Sequence, residues 1–150
     1  MDTPDGVDRL PDGPVRRMFT AAGQHNLDAM VAEFAGDYVN TTPNHPSRSF
    51  TGSEQVRSNW SALFAGIPDL SLKVVDAATS TDGKVWVEWA SHGTRRDGIA
   101  VEQAGIGIFT LRDDRISAVR FYLEPADQDT GDVNAAVRAM AGTGPEGAVP

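Results

Sequence analysis

Three histidines, His25, His45 and His92, are the residues of this chain best suited to moving a proton near neutral pH. A metal site would pair them at i, i+2 or i, i+4, or join them to clustered carboxylates. None has that spacing, so no metal is expected and each histidine is read singly, as a possible general acid or base. His45 has the most polar setting. It lies between Pro43 and Pro46 in NTTPNHPSRSFTG (residues 40–52), with Arg48 and several small hydroxyl and amide side chains nearby. His25, in the connection between two helices, is expected at the surface.

Other chemistries are excluded by what the chain lacks. With no cysteine it has no disulfide, thiol nucleophile or cysteine-held zinc. There is no G-x-S-x-G elbow for a serine nucleophile. The pair Gly105 and Gly107 has no third glycine in register and lies inside a strand pattern, so it is not a phosphate loop. The net charge of −8 argues against a nucleic-acid partner, which calls for a basic face. That charge is read as serving solubility.

The 150 residues, 40% of them hydrophobic, fit one domain with a substantial core. The start, MDTPDGVDRLPDG, has neither a basic segment nor an apolar run, and no window approaches 18 apolar residues. No signal peptide or membrane span is expected, and the location is read as cytoplasmic. Residues 1–11 are expected to be disordered, 12–125 to form the domain, and 126–150 to be mostly flexible. Within that tail only DVNAAVRAM could form a helix.

Periodicity supplies the elements. Val15, Met18, Phe19 and Ala22 fall on one helical face, with Asp12 as the expected cap. Leu27, Met30, Val31 and Phe34 repeat the spacing after Asn26, and Gly36 is expected to end that helix. DYVNTT reads as a strand. A third helix follows in TGSEQVRSNWSALFAG, with Ser53 as cap and Val56, Trp60, Leu63 and Phe64 as its buried face. After Pro68 the period becomes 2, in LSLKVV, KVWVEWASHG, IAVEQAGIGIFTL and ISAVRFYLE. Asp-Gly pairs at 82–83 and 97–98 mark turns between them. Gly105 and Gly107 suggest a bulge, a bend or close backbone approach in the long strand.

Three helices followed by hairpin-linked strands give an α+β fold, with helices covering one face of a curved antiparallel sheet. Alternation then sorts the strand residues. Val85, Val87, Trp89 and Ser91 share one face, and Trp86, Glu88, Ala90 and His92 the other. Val119, Phe121 and Leu123 lie opposite Arg120, Tyr122 and Glu124.

In order and spacing, NLDAMVAEFAGDYV, HPSRSFTGSEQVRSNW, FAGIPDL, VWVEW, GTRRDG and DRISAVRFYLEP resemble the SnoaL-like branch of the nuclear transport factor 2-like superfamily. That superfamily also holds ketosteroid isomerases and limonene-epoxide hydrolases. The resemblance covers roughly residues 14–125. It implies a cone-shaped, cystatin-like α+β barrel, in which a strongly curved antiparallel sheet wraps the helices around a pocket. It also implies a homodimer formed through the outer sheet face, where Trp86 and Tyr122 would lie.

In epoxide-hydrolase relatives an arginine, an aspartate and a second aspartate occupy positions that correspond here to Trp89, Ser91 and Phe121. The cyclase relatives' aspartate base also falls on Phe121, while their next acidic position is kept as Glu124. The resemblance thus implies the pocket without its usual base. Asn40 and Thr42 match cavity-facing positions, and Trp60 and Phe64 would wall the cavity. Trp89, Ser91, Gln103, Phe121 and Leu123 point inward by alternation.

His45 at the mouth or His92 near a strand end would move the proton, with Glu124 as its partner. The expected activity is that of a cofactor-independent cyclase, isomerase, hydrolase or lyase acting on an apolar oxygenated metabolite. The alternative is a non-catalytic binding or dimeric accessory protein. Arg48 is expected to be a structural clamp to Glu88 or Glu124.

Overall fold

The computed structural model describes residues 6–128 and 131–143. Helix α1 (Pro14–Gly23) begins on Pro14, whose fixed φ suits the first helical position. Its N-cap is Gly13 rather than the expected Asp12, which instead reaches Arg16 at 3.4 Å. Helix α2 (Leu27–Val31) starts as read from the sequence, with Ala29 N–H donating to the Asn26 side chain. It is shorter than expected. Phe34 has left the helix and opens strand β1 (Phe34–Thr41), where it pairs with Ile116. The short strand β2 (Phe50–Thr51) leads into α3 (Ser53–Gly66). Gly52, at φ 93°, caps α3 in place of Ser53.

Strands β3 (Ser71–Thr79), β4 (Val85–Thr94), β5 (Ala100–Arg112), β6 (Arg115–Phe121) and β7 (Glu124–Pro125) follow, and α4 (Val133–Ala141) comes last. The sheet order is β2-β1-β6-β5-β4-β3, with β7 also on β5. Its pairings are antiparallel, as expected, except that β1 runs parallel to β6. Register shifts in β1, β3 and at the β5–β6 pairing bend the strands and help curve the sheet. Both Asp-Gly pairs form the expected turns, with Gly83 at φ 83° and Gly98 at φ 87°.

The concave face closes on α1 and α2. Phe19 is fully buried, with its ring 4.4 Å from Trp89 and 6.1 Å from Phe109, both edge-on. Burying Phe19 and Phe109 contributes roughly 1.5–3 kcal/mol each. The expectation of a disordered start is corrected over residues 6–11. A 3-10 turn at Val7–Arg9 places Leu10 in the core at 1% exposure, and Arg16 Nε holds the Leu10 carbonyl at 2.9 Å. The rest of the expected terminal disorder, in 1–5, 129–130 and 144–150, lies outside the described residues. Among the described residues no helix is long and apolar enough to cross a membrane.

Candidate functional site

The wide end of the curved sheet leaves a cavity of about 300 Å³ between β1, α3, β4, β5 and the β6–β7 segment. Helix α3 presents Val56, Asn59, Trp60 and Leu63 to it, the i, i+3, i+4, i+7 stripe of one face. Trp60 is therefore half-buried and Leu63 is 40% exposed, although both were expected in the core. Phe64 does not line the cavity. It turns toward His25, whose ring stacks on it at 4.3 Å. His25, expected at the surface, is half-buried and hydrogen-bonds the Leu70 carbonyl through Nε2 at 2.7 Å. That contact holds the α1–α2 turn against the chain entering β3.

Strand alternation puts Trp89 and Ser91 of β4, Gln103 of β5, and Phe121 and Leu123 on the wall. Ser91 pairs in register with Gln103, so their side chains emerge side by side. Neither side chain makes a hydrogen bond to another described residue, which leaves both free to meet a ligand oxygen. The buried indole N–H of Trp89 also has no partner among the described residues. His92 takes the opposite face, as alternation requires. It is exposed and hydrogen-bonds the Ser71 hydroxyl at 2.9 Å, so its expected place at the cavity is corrected.

Strand β1 supplies a polar relay. The Tyr38 hydroxyl donates to Asn40 Oδ1 at 2.9 Å, and Asn40 Nδ2 donates to Thr42 Oγ1 at 3.3 Å. Burial pushes the Tyr38 phenol far above its usual range, so it stays a neutral donor. One N–H of the Asn40 amide has no partner among the described residues, at the cavity wall.

The loop after β1 is fastened at several points. His45 N–H donates to the Thr42 carbonyl at 2.9 Å, Arg48 N–H to the His45 carbonyl at 2.8 Å, and Thr42 N–H to Ser49 Oγ at 3.0 Å. This folding brings His45 Nε2 to 2.7 Å from Glu124 Oε1. Their side chains are 33% and 39% exposed. Neither residue lines the cavity itself, but Glu124 directly follows the wall residue Leu123, and His45 N–H is held by the carbonyl of the wall residue Thr42. Arg48 does not clamp Glu88 or Glu124. Its side chain forms part of the cavity wall and makes no hydrogen bond or ion pair among the described residues.

Asp69 fixes the end of β4. Thr94 N–H donates to its carboxylate at 2.7 Å and holds that carboxyl below its usual range. Among the described residues no three His, Asp or Glu side chains are arranged to hold a metal ion.

The sequence reading missed Asn59 and Arg48 as wall residues. Asn59 was findable, because it shares the helical stripe of Val56 and Leu63. Arg48 carried no such signal, because its direction depends on the loop's own hydrogen bonds.

The chain belongs to the SnoaL-like domain family, whose model matches residues 15–119. No curated protein matches it. Solved structures share the fold. One is a Catenulispora acidiphila protein with a ketosteroid isomerase-like fold, in complex with trimethylamine. It is 20% identical over 75% of this chain and 87% of its own, with a TM-score of 0.61. A Sinorhizobium meliloti protein provisionally named a polyketide cyclase is 20% identical, covering 79% and 98%, with a TM-score of 0.58. A Mycobacterium tuberculosis protein in complex with estradiol-17beta-hemisuccinate is 16% identical, covering 73% and 92%, with a TM-score of 0.62. At these identities the likeness is one of fold.

Proposed function

We propose that this protein is a cofactor-independent enzyme of the SnoaL-like type. It takes an apolar oxygenated metabolite into the cavity and moves a proton on it with His45. The observation that carries this reading is the His45–Glu124 pair, 2.7 Å apart and joined through the backbone to the wall residues Thr42 and Leu123 of a largely apolar cavity. With Nε2–H donated to Glu124, Nδ1 keeps its lone pair and is the atom that takes a proton from the substrate. Glu124 fixes the tautomer and stabilises the imidazolium that forms. Asn40, Ser91 and Gln103 hold substrate oxygens, while Trp60, Trp89, Phe121 and Leu123 exclude water.

General acid–base help of this kind supplies about 10²–10⁴-fold, and positioning supplies the remainder. Cyclisation, isomerisation and epoxide or lyase chemistry all need such a proton transfer. The Mycobacterium tuberculosis neighbour's complex with estradiol-17beta-hemisuccinate supports a ligand of apolar, oxygenated type. The active unit is a homodimer formed through the outer sheet face, where Trp86 and Ile106 remain about 40% exposed.

A second reading, a non-catalytic binding protein, is favoured by one observation. No Asp, Glu or His side chain lies on the cavity wall among the described residues. A screen of β,γ-unsaturated ketones, 1,3-dicarbonyl compounds and epoxides separates the two. The catalytic reading expects turnover of one class, which His45→Gln lowers by about 10²–10⁴-fold while binding persists. Turnover undiminished in His45→Gln would remove His45 from the chemistry. Binding without turnover in the wild type would leave the second reading.

A further inference from the structure

Arg48 is the one charged side chain on the cavity wall among the described residues. Its position is set by the loop: its N–H is held by the His45 carbonyl at 2.8 Å, and Pro46 opens the 3-10 turn (Pro46–Arg48) that carries it. Its guanidinium has no carboxylate, carbonyl or hydroxyl partner among the described residues.

Arg9 and Arg120 likewise make no side-chain hydrogen bond or ion pair among the described residues, although acidic residues outnumber basic ones by 21 to 13, but neither of them lines the cavity. Arg17, Arg57 and Arg112 each hold a carboxylate, and Arg96 and Arg115 each hold a backbone carbonyl. Glu124, which follows the wall residue Leu123, is committed to His45. The cavity is thus a largely apolar chamber whose wall includes one exposed, planar, five-donor cation that has no partner among the described residues.

We propose that the cavity's ligand is an amphipathic monoanion. Its apolar body lies among Trp60, Leu63, Trp89 and Phe121, and its carboxylate is held by Arg48. The guanidinium fork matches a carboxylate in two parallel hydrogen bonds. A dianionic phosphate fits less well, because Glu124 and the strongly negative chain repel the second charge. Anchoring the carboxylate at Arg48 sets the ligand's polar end beside His45, three residues away. The inference rests on reading the cavity as a ligand site. It does not depend on whether His45 is catalytic.

Calorimetric binding of three probes near neutral pH tests it: 2-naphthylacetate, its uncharged primary amide, and 2-naphthylmethylphosphonate. The wild type is expected to bind the acid roughly tenfold or more tightly than the amide, the size of one charge-assisted hydrogen-bond pair. Added salt should weaken the acid and spare the amide. Arg48→Met should remove the preference by weakening the acid alone, and Arg48→Lys should restore part of it. The Arg48 side chain makes no hydrogen bond or ion pair among the described residues, so both variants are expected to keep the wild-type circular dichroism.

Equal binding of acid and amide by the wild type overturns the Arg48 anchor and leaves the cavity reading intact. Tighter binding of the phosphonate overturns the carboxylate assignment. Binding of none of the three overturns the anchor together with the cavity reading. Turnover is not measured, so a failure of the acid–base reading is seen separately.

Discussion

His45 Nε2 and Glu124 Oε1 lie 2.7 Å apart, although 79 residues separate them in the chain. Both side chains are about a third or more exposed, so the pair contributes little to folding, about 0–1 kcal/mol. Its value lies in fixing the imidazole. Glu124→Gln is therefore expected to leave the melting temperature within a few degrees of wild type. It should lower kcat on any substrate the screen identifies, with KM little changed. A large loss of stability with kcat intact would make the pair a structural strut.

Tyr38 and Asn40 make the opposite case, a polar contact that is buried. Removing the hydroxyl in Tyr38→Phe leaves Asn40 Oδ1 without its donor, at a site only 6% exposed. The expected loss is about 1–3 kcal/mol in urea unfolding. Ligand affinity should fall as well, because the amide that presents its N–H to the cavity is no longer held. An unchanged unfolding midpoint would mean that the relay contributes nothing.

The strand half of this fold was legible in the sequence, and the loops were not. A two-residue period leaves little freedom: alternation put Ser91 inward and His92 outward, and the expectation that His92 would serve the cavity from near its strand end failed against it. Helical spacing misled at Phe34. The apolar repeat continues through that position, but the backbone has already become β1, and pairing with β6 decided the matter. That pairing is parallel and non-local, and no local pattern encodes it. His25 and Arg48 show the remaining gap. Each direction is set by a hydrogen-bonded turn and by a partner far away in sequence, or by the lack of one.

Gly105 tests the close approach that the glycines of β5 suggested. A Cβ there would lie 2.1 Å from the Tyr122 carbonyl oxygen and 2.7 Å from Leu123 Cα, and both are backbone atoms. Neither can step aside without moving the segment that carries Phe121 and Glu124. Gly105→Ala is expected to destabilise by roughly 3 kcal/mol and to impair ligand binding. Gly36→Ala, where nothing lies within 4 Å, serves as the control and should stay within about 0.5 kcal/mol. Equal effects of the two would refute the steric argument.

The β3–β4 turn carries a pH signature. Hydrogen bonds from Lys84 and then Ser80 pull the Asp82 carboxyl from its ordinary 3.8 down to about 2. A carboxyl depressed in the folded state stabilises that state above the unfolded value. The contribution is present above 3.8 and is lost as the pH falls through about 2. The group is exposed, so the effect is small and weakens with salt. A carbon-13 titration should place the Asp82 midpoint well below that of an ordinary aspartate. A midpoint at the ordinary value would show that the turn's ion pair does not persist in solution.

The outer sheet face yields the last prediction. Trp86 and Ile106, on adjacent strands, are 40% and 38% exposed, and the half-buried Tyr122 follows on the next segment. Glu88 and Arg120 lie on the same face, and neither makes an ion pair among the described residues. A two-fold axis over this face would bury the aromatic side chains and let Glu88 of each copy meet Arg120 of the other, as an isologous interface allows. The wild type is expected to sediment as a dimer at micromolar concentration. Trp86→Glu should yield a folded monomer, since it places a charge at the centre of the apolar patch. Glu88→Arg and Arg120→Glu should each weaken the dimer, and the double swap should recover it, because only the sign of each partner has been exchanged. A monomeric wild type would refute the interface. A dimer unaffected by Trp86→Glu would move it to another face.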